Sequence, residues 1–113
     1  MLVVVSPAKK LNMTPAEGVT ATEPAFAKNA QELAGVARQL SLGALQKLMG
    51  LSVNLAQLNT DRFAAFGSQE TKAAALAFAG DTYQGLEAAT LDADEMTWAQ
   101  NHLRILSGLY GVL

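Results

Sequence analysis

The chain has 113 residues, half of them hydrophobic and 16% charged, with a formal net charge of −2. That length fits one small domain with a single core, and that composition excludes a disordered tail. The slight negative charge excludes a global pull on nucleic acid, so any such contact has to be local.

In chain order, Leu2-Val3-Val4-Val5 is an uninterrupted, largely β-branched run, as expected of a strand buried on both faces. It is too short to span a bilayer and lacks the basic start of a signal peptide, so the expected location is the cytoplasm, with no membrane partner. Ser6-Pro7 ends the run, and residues 8–23 read as a surface loop. Thr22 is the expected cap of a helix opening with Glu23-Pro24, with Phe26, Ala30, Leu33, Ala37 and Leu40 on one face. Ser41 caps a shorter helix that turns Leu45, Leu48 and Met49 inward and stops at Gly50. Ser52 caps the next, which carries Leu55, Leu58 and Phe63 or Phe66 to Gly67.

Residues 68–79 read as an alanine-rich helix closed by Gly80, followed by a turn over residues 81–85. Asp92 and Glu95 stand at capping-box spacing before a helix striped by Met96, Ala99, Leu103 and Leu106, with Gly108 as its stop. Residues 109–113 form a second candidate strand. The pattern implies an α/β (α+β) fold, mostly helical, with a buried strand at each end and the helices as a long crossover. With no repeat or linker, residues 1–113 read as a single domain portion. The apolar end at Val112-Leu113, where termini are usually polar, marks it as the N-terminal part of a longer protein.

Four stretches carry candidate chemistry. The chain has no cysteine and one histidine, so no metal site and no cofactor is expected from these residues. At the exit of the first strand, Ser6 offers a hydroxyl and Lys9 and Lys10 offer cations, where α/β folds tend to place ligands. A solvated loop after a strand accounts for the same residues. Leu48-Met49-Gly50-Leu51-Ser52 resembles a helix-hairpin-helix, whose turn presents backbone N–H groups to a DNA phosphate without reading bases. Lys47 supplies the nearby charge, and an ordinary helical hairpin with a glycine cap fits equally well.

In the third stretch, residues 78–86, Asp81 is a candidate acid/base and Tyr83 a candidate stacking ring. The alternatives there are an Asx-type turn and a tyrosine anchored in the core. In the fourth, His102, Arg104, Ser107 and Tyr110 follow one another. His102 and Arg104 are two apart on the expected helix and so diverge, while Ser107-Gly108 can shape a pocket.

Taken together, three of these stretches resemble one family, the YaaA peroxide-stress proteins. They are Val5-Ser6-Pro7-Ala8-Lys9, then Phe78 with Gly80-Asp81, Tyr83 and Gly85-Leu86, then Leu103-Arg104 with residues 106–113. The resemblance covers essentially the whole chain and implies that the fold continues beyond it, so that the remainder of the same polypeptide completes the structure. It further implies a role in surviving hydrogen peroxide, by limiting free iron and so protecting DNA, and an α/β fold with a helix-hairpin-helix that binds duplex and branched DNA. Lys10 departs from the family's usual small polar residue, and the low charge around Gly50 makes binding by this portion alone weak.

On that resemblance, Lys47, Gly50, Leu51, Ser52 and Asn54 are the expected DNA contacts. Ser6, Lys9, Asp81, Tyr83, Arg104, Ser107 and Tyr110 are expected to line a shared pocket. The alternative is an enzyme acting on a nucleotide or DNA base through a Ser6/Asp81/Arg104 pocket, with Asp81 as acid/base, Tyr83 a further catalytic candidate, and Lys9 or Arg104 holding phosphate.

Overall fold

A strand at the N-terminus finds its partner a hundred residues later. The computed structural model describes residues 1–113. In it β1 (Val3–Val5) pairs in parallel with β2 (Leu103–Ser107), with Val3 opposite Leu103 and Val5 opposite Ile105. A short β3 (Gly111–Val112) returns antiparallel on the far side of β2, so the order is β1-β2-β3. Between β1 and β2 lie six α-helices: α1 (Ala27–Arg38), α2 (Leu42–Met49), α3 (Val53–Ala64), α4 (Ala74–Ala77), α5 (Asp81–Leu86) and α6 (Ala93–His102). The fold class is α/β with a mixed sheet, as the sequence implies. No helix is long and apolar enough to cross a membrane.

The chain forms two compact units, one of Met1–Phe26 with Glu70–Leu113 and one of Ala27–Gln69. Each has its own small, alanine-rich core. In the second, three helices bury Ala30, Ala34, Leu45 and Ala56. The face expected of α1 is displaced, because Leu33 and Phe26 are about half exposed while Ala34 is fully buried. On α3, Ala56 is buried and Leu55 and Leu58 lie outside, and on α2 Leu45 is buried while Leu48 and Met49 are exposed. Small side chains at the contact let helix axes approach closely, and that places the bulky residues on the flanks.

The first unit holds the sheet and a core of Ala77, Tyr83, Ala88 and Ile105. Four expectations change here. The helix expected through Leu106 ends at His102, and Leu103 enters β2 with no loop between. The two end strands therefore do not pair directly, since β2 lies between them. The alanine-rich helix of residues 68–79 shrinks to Ala74–Ala77 because its end is drawn into pairing with the loop after β1. Leu11 bridges Phe78, Asn12 N–H donates to the Ala77 carbonyl at 2.7 Å and Ala79 N–H to that of Lys10 at 3.0 Å. The expected turn over residues 81–85 is instead α5, closed by Glu87 at φ 50°.

The strand expected to be buried on both faces is not. Val3 and Val4 are 42% and 48% exposed, because β1 is an edge strand and only Val5 is shielded. Val3, Val5, Leu103 and Ile105 share one face by register, and Ile105 there is buried.

Candidate functional site

The α2–α3 hairpin is set by three residues. Gly50 ends α2 in the left-handed conformation, φ 63° and ψ 39°, which glycine adopts without strain. Leu51 follows, its N–H donating to the Gln46 carbonyl at 3.1 Å. Ser52 then caps α3, its Oγ accepting from Leu55 N–H at 3.3 Å and its carbonyl from Ala56 N–H at 2.9 Å. The N–H groups of Val53 and Asn54, in the first turn of α3, have no acceptor within the helix. Such groups form a seat for an anion, reinforced by the helix dipole. A side chain built at Gly50 meets nothing within 4 Å, so the turn backbone is open to approach. Lys47 is exposed in the last turn of α2 and Asn54 exposed in the first turn of α3. The five hairpin residues thus fall within one short turn and its flanking helix ends.

A second group forms at the carboxyl edge of the parallel pair. The register puts Ser6 and Ser107 just beyond or at the ends of β1 and β2, the edge at which α/β sheets present ligands. The α5 segment closes on the same loop. Tyr83 is buried, 6% exposed, and its hydroxyl donates to the Ser6 carbonyl. Its ring lies 5.4 Å from that of Phe78, and a Cβ on Gly80 would stand 3.1 Å from that of Ala8. Burial raises the Tyr83 phenol above its ordinary value of 10.0, so at neutral pH it is a hydrogen-bond donor. A buried ring packed on Phe78 has no free face for a base, and Tyr83 acts here as the anchor of the Ser6 loop.

Asp81 opens α5 and is exposed, next to the Gly80–Ala8 contact. Lys9 is exposed one residue beyond Ala8. Ser107 Oγ accepts from Tyr110 N–H at 3.1 Å and so closes the turn into β3. Arg104 stands apart from this edge. It pairs with Val4, and its guanidinium turns back to the carbonyls of Gln100 and Leu103, capping the end of α6. His102 stacks on Trp98 with centroids 4.0 Å apart, and its Nδ1 lies 2.7 Å from the Trp98 carbonyl.

At this edge Tyr83 is tied to the Ser6 carbonyl, and Asp81 and Lys9 flank the Gly80–Ala8 contact, while Ser107 closes its own turn and Arg104 is engaged at the end of α6. Ala8 and Gly80 are the residues sequence reasoning missed. Their small size in two motif-bearing stretches was the available signal, and the seventy residues between them hid the contact. A groove of about 310 Å³, lined by Met13, Val19, Lys72 and Leu76 among others, holds none of the candidate residues. Lys72 there donates to the Asn12 carbonyl at 2.9 Å. No three His, Cys, Asp or Glu side chains come together in a metal-holding group.

The family model described as peroxide stress protein YaaA matches residues 1–113. Among curated relatives, a UPF0246 protein of Ruegeria pomeroyi is 64% identical over 117 aligned positions, covering all of this chain and 45% of the relative. Similar proteins of Roseobacter denitrificans and Dinoroseobacter shibae are 59% and 60% identical, again over the whole chain and 45% and 44% of their own lengths. The chain therefore spans less than half the length of these relatives.

Proposed function

The chain belongs to the peroxide stress protein YaaA family, and we propose that its part in the peroxide response is to hold DNA by the phosphate backbone through the α2–α3 hairpin. The observation that carries this reading is the open turn at Gly50, with the unbonded N–H groups of Val53 and Asn54 behind it. Lys47 adds the single nearby cation, and Leu51 and Ser52 fix the turn. Such a contact reads no bases and is therefore independent of sequence, on duplex or branched DNA. With a net charge of −2 on the chain, binding by this portion is weak and salt-sensitive. The proposed setting is the cytoplasm, where limiting free iron protects DNA.

Fluorescence anisotropy on duplexes of unrelated sequence tests the reading. Gly50→Asn is the decisive variant, because asparagine tolerates the left-handed turn while its side chain occupies the phosphate approach. Its affinity is expected to fall at least about tenfold with the fold retained, since each charge-assisted contact contributes about 1.5–3 kcal/mol. Lys47→Gln is expected to lower the slope of log K against log salt by about 0.9. If both variants bind as the unaltered chain does, the hairpin is a structural turn and the assignment is wrong.

A second reading, an enzyme acting on a nucleotide or DNA base, rests on the Asp81 segment being tied to the Ser6 loop through Tyr83, with Lys9 left to hold phosphate because Arg104 is turned to the end of α6. It requires those side chains, rather than the hairpin, to carry ligand binding. Saturation-transfer NMR with mononucleotides, compared between the unaltered chain and Asp81→Asn, separates it from backbone binding.

A further inference from the structure

The two faces of the sheet are unequal. Val3, Val5, Leu103 and Ile105 share one face, on which Ile105 is 3% exposed, Val5 and Leu103 are half-buried and Val3, at the start of its strand, is 42% exposed. Leu2, Val4, Arg104 and Leu106 fall on the other face by strand alternation, with Val112 beside Leu106. On that face Leu2 is 59%, Val4 48% and Leu106 51% exposed. A parallel β-pair is normally covered on both sides, because its strands carry no polar face to give to water. Arg104, the face's one charged residue, is folded against the Gln100 and Leu103 carbonyls, so the apolar side chains around it stand uncovered. The outer edge of β1 is also unpaired, since the sheet begins with that strand.

We infer that the face formed by Leu2, Val4 and Leu106 is the seat of a polypeptide segment of predominantly apolar surface, supplied by the part of the family sequence that this chain does not span. Two observations select that occupant. The relatives match the whole chain at up to 64% identity yet extend to more than twice its length, so the family carries a large further segment. The open face is apolar rather than charged, which suits an intramolecular partner core and not a nucleic-acid backbone. The seat lies in the first unit and its test is independent of the hairpin reading.

The test co-expresses the tagged chain with the part of the Ruegeria pomeroyi relative lying outside the match, and measures the stoichiometry recovered on the tag. The unaltered chain is expected to retain the segment at one to one. Leu106→Lys and Val4→Lys are each expected to reduce retention at least about tenfold, as burial of one such side chain contributes about 1.5–3 kcal/mol. Val36→Lys, an equally exposed apolar position on α1 at 63%, is expected to leave retention unchanged. Amide exchange across residues 2–5 should slow in the complex. Circular dichroism of each variant separates loss of the seat from loss of fold. Failure to retain the segment, retention indifferent to Val4 and Leu106, or a homodimer closed through this face in place of the segment would each overturn the inference.

Discussion

The two units of this molecule are built on opposite principles. Ala27–Gln69 is one continuous stretch in which α1 and α2 both pack on α3, and its turns are closed by residues three or four apart. The other unit joins Met1–Phe26 to Glu70–Leu113, and the ties that join its two stretches cross long gaps: Val5 to Ile105, Leu11 to Phe78, Tyr83 to Ser6. Local rules shape the first kind of structure and remote pairing the second. The difference teaches where each candidate site draws its geometry. The hairpin around Gly50 is a product of capping, whereas the edge around Ser6 exists only once distant segments have met.

Three substitutions press on that contrast. Ile105→Ala, at the most buried position of the sheet, is expected to cost about 2–5 kcal/mol in denaturant unfolding. Amide exchange should quicken across β1 and β2 and stay slow in α1–α3; equal loss in the helices would mean that the two units unfold as one.

Tyr83→Phe removes the donor to the Ser6 carbonyl and is expected to cost about 1–3 kcal/mol, because a part-buried acceptor is left unpaired. It carries a pH signature as well. Desolvation raises the phenol in the folded chain, so the unfolded chain loses that proton first as pH climbs past 10.0. Stability is therefore whole below that pH and declines above it, through the higher folded value. The alkaline decline measured by circular dichroism should be shallower in Tyr83→Phe; an unchanged slope would detach it from this side chain.

Ser52→Ala has the smallest effect, about 1 kcal/mol through loss of the cap on Leu55 N–H. Melting of the helical signal reports it, and a change confined to α3 by amide exchange is the expected pattern. Spread into β1 would break the comparison.

The same division explains what could be read from the sequence. Ser41, Ser52 and Asp92 cap helices where their types and spacing say they should, and Gly50 adopts the conformation its position implies. These are short-range rules. Leu103 and Leu106 were drawn into a helical stripe because their spacing from Met96 and Ala99 fits period 3.6, and neither Gly nor Pro separates His102 from Leu103. Pairing with Val3–Val5 decides the matter, and no local signal reports it. Alanine misled in a related way. Ala34 and Ala56 are the buried contacts, and the larger Leu33 and Leu58, which a hydrophobic pattern favours, face outward. Of the two candidate sites, the hairpin was legible residue by residue. At the sheet edge the residue types are visible, but the turn of the Arg104 guanidinium back to the Gln100 and Leu103 carbonyls has no signal in the sequence.

The pairing of Val3 with Leu103 also sets a clock on synthesis. At about 5–20 residues per second, the ribosome takes roughly 5–20 s to deliver β2 after β1 has been made. Throughout that interval the Leu2–Val5 segment has no partner, while α1–α3 are complete and free to fold within themselves. A nascent strand of that kind is most exposed to chaperones, and to copies of itself on neighbouring ribosomes, before Leu103–Ser107 emerge.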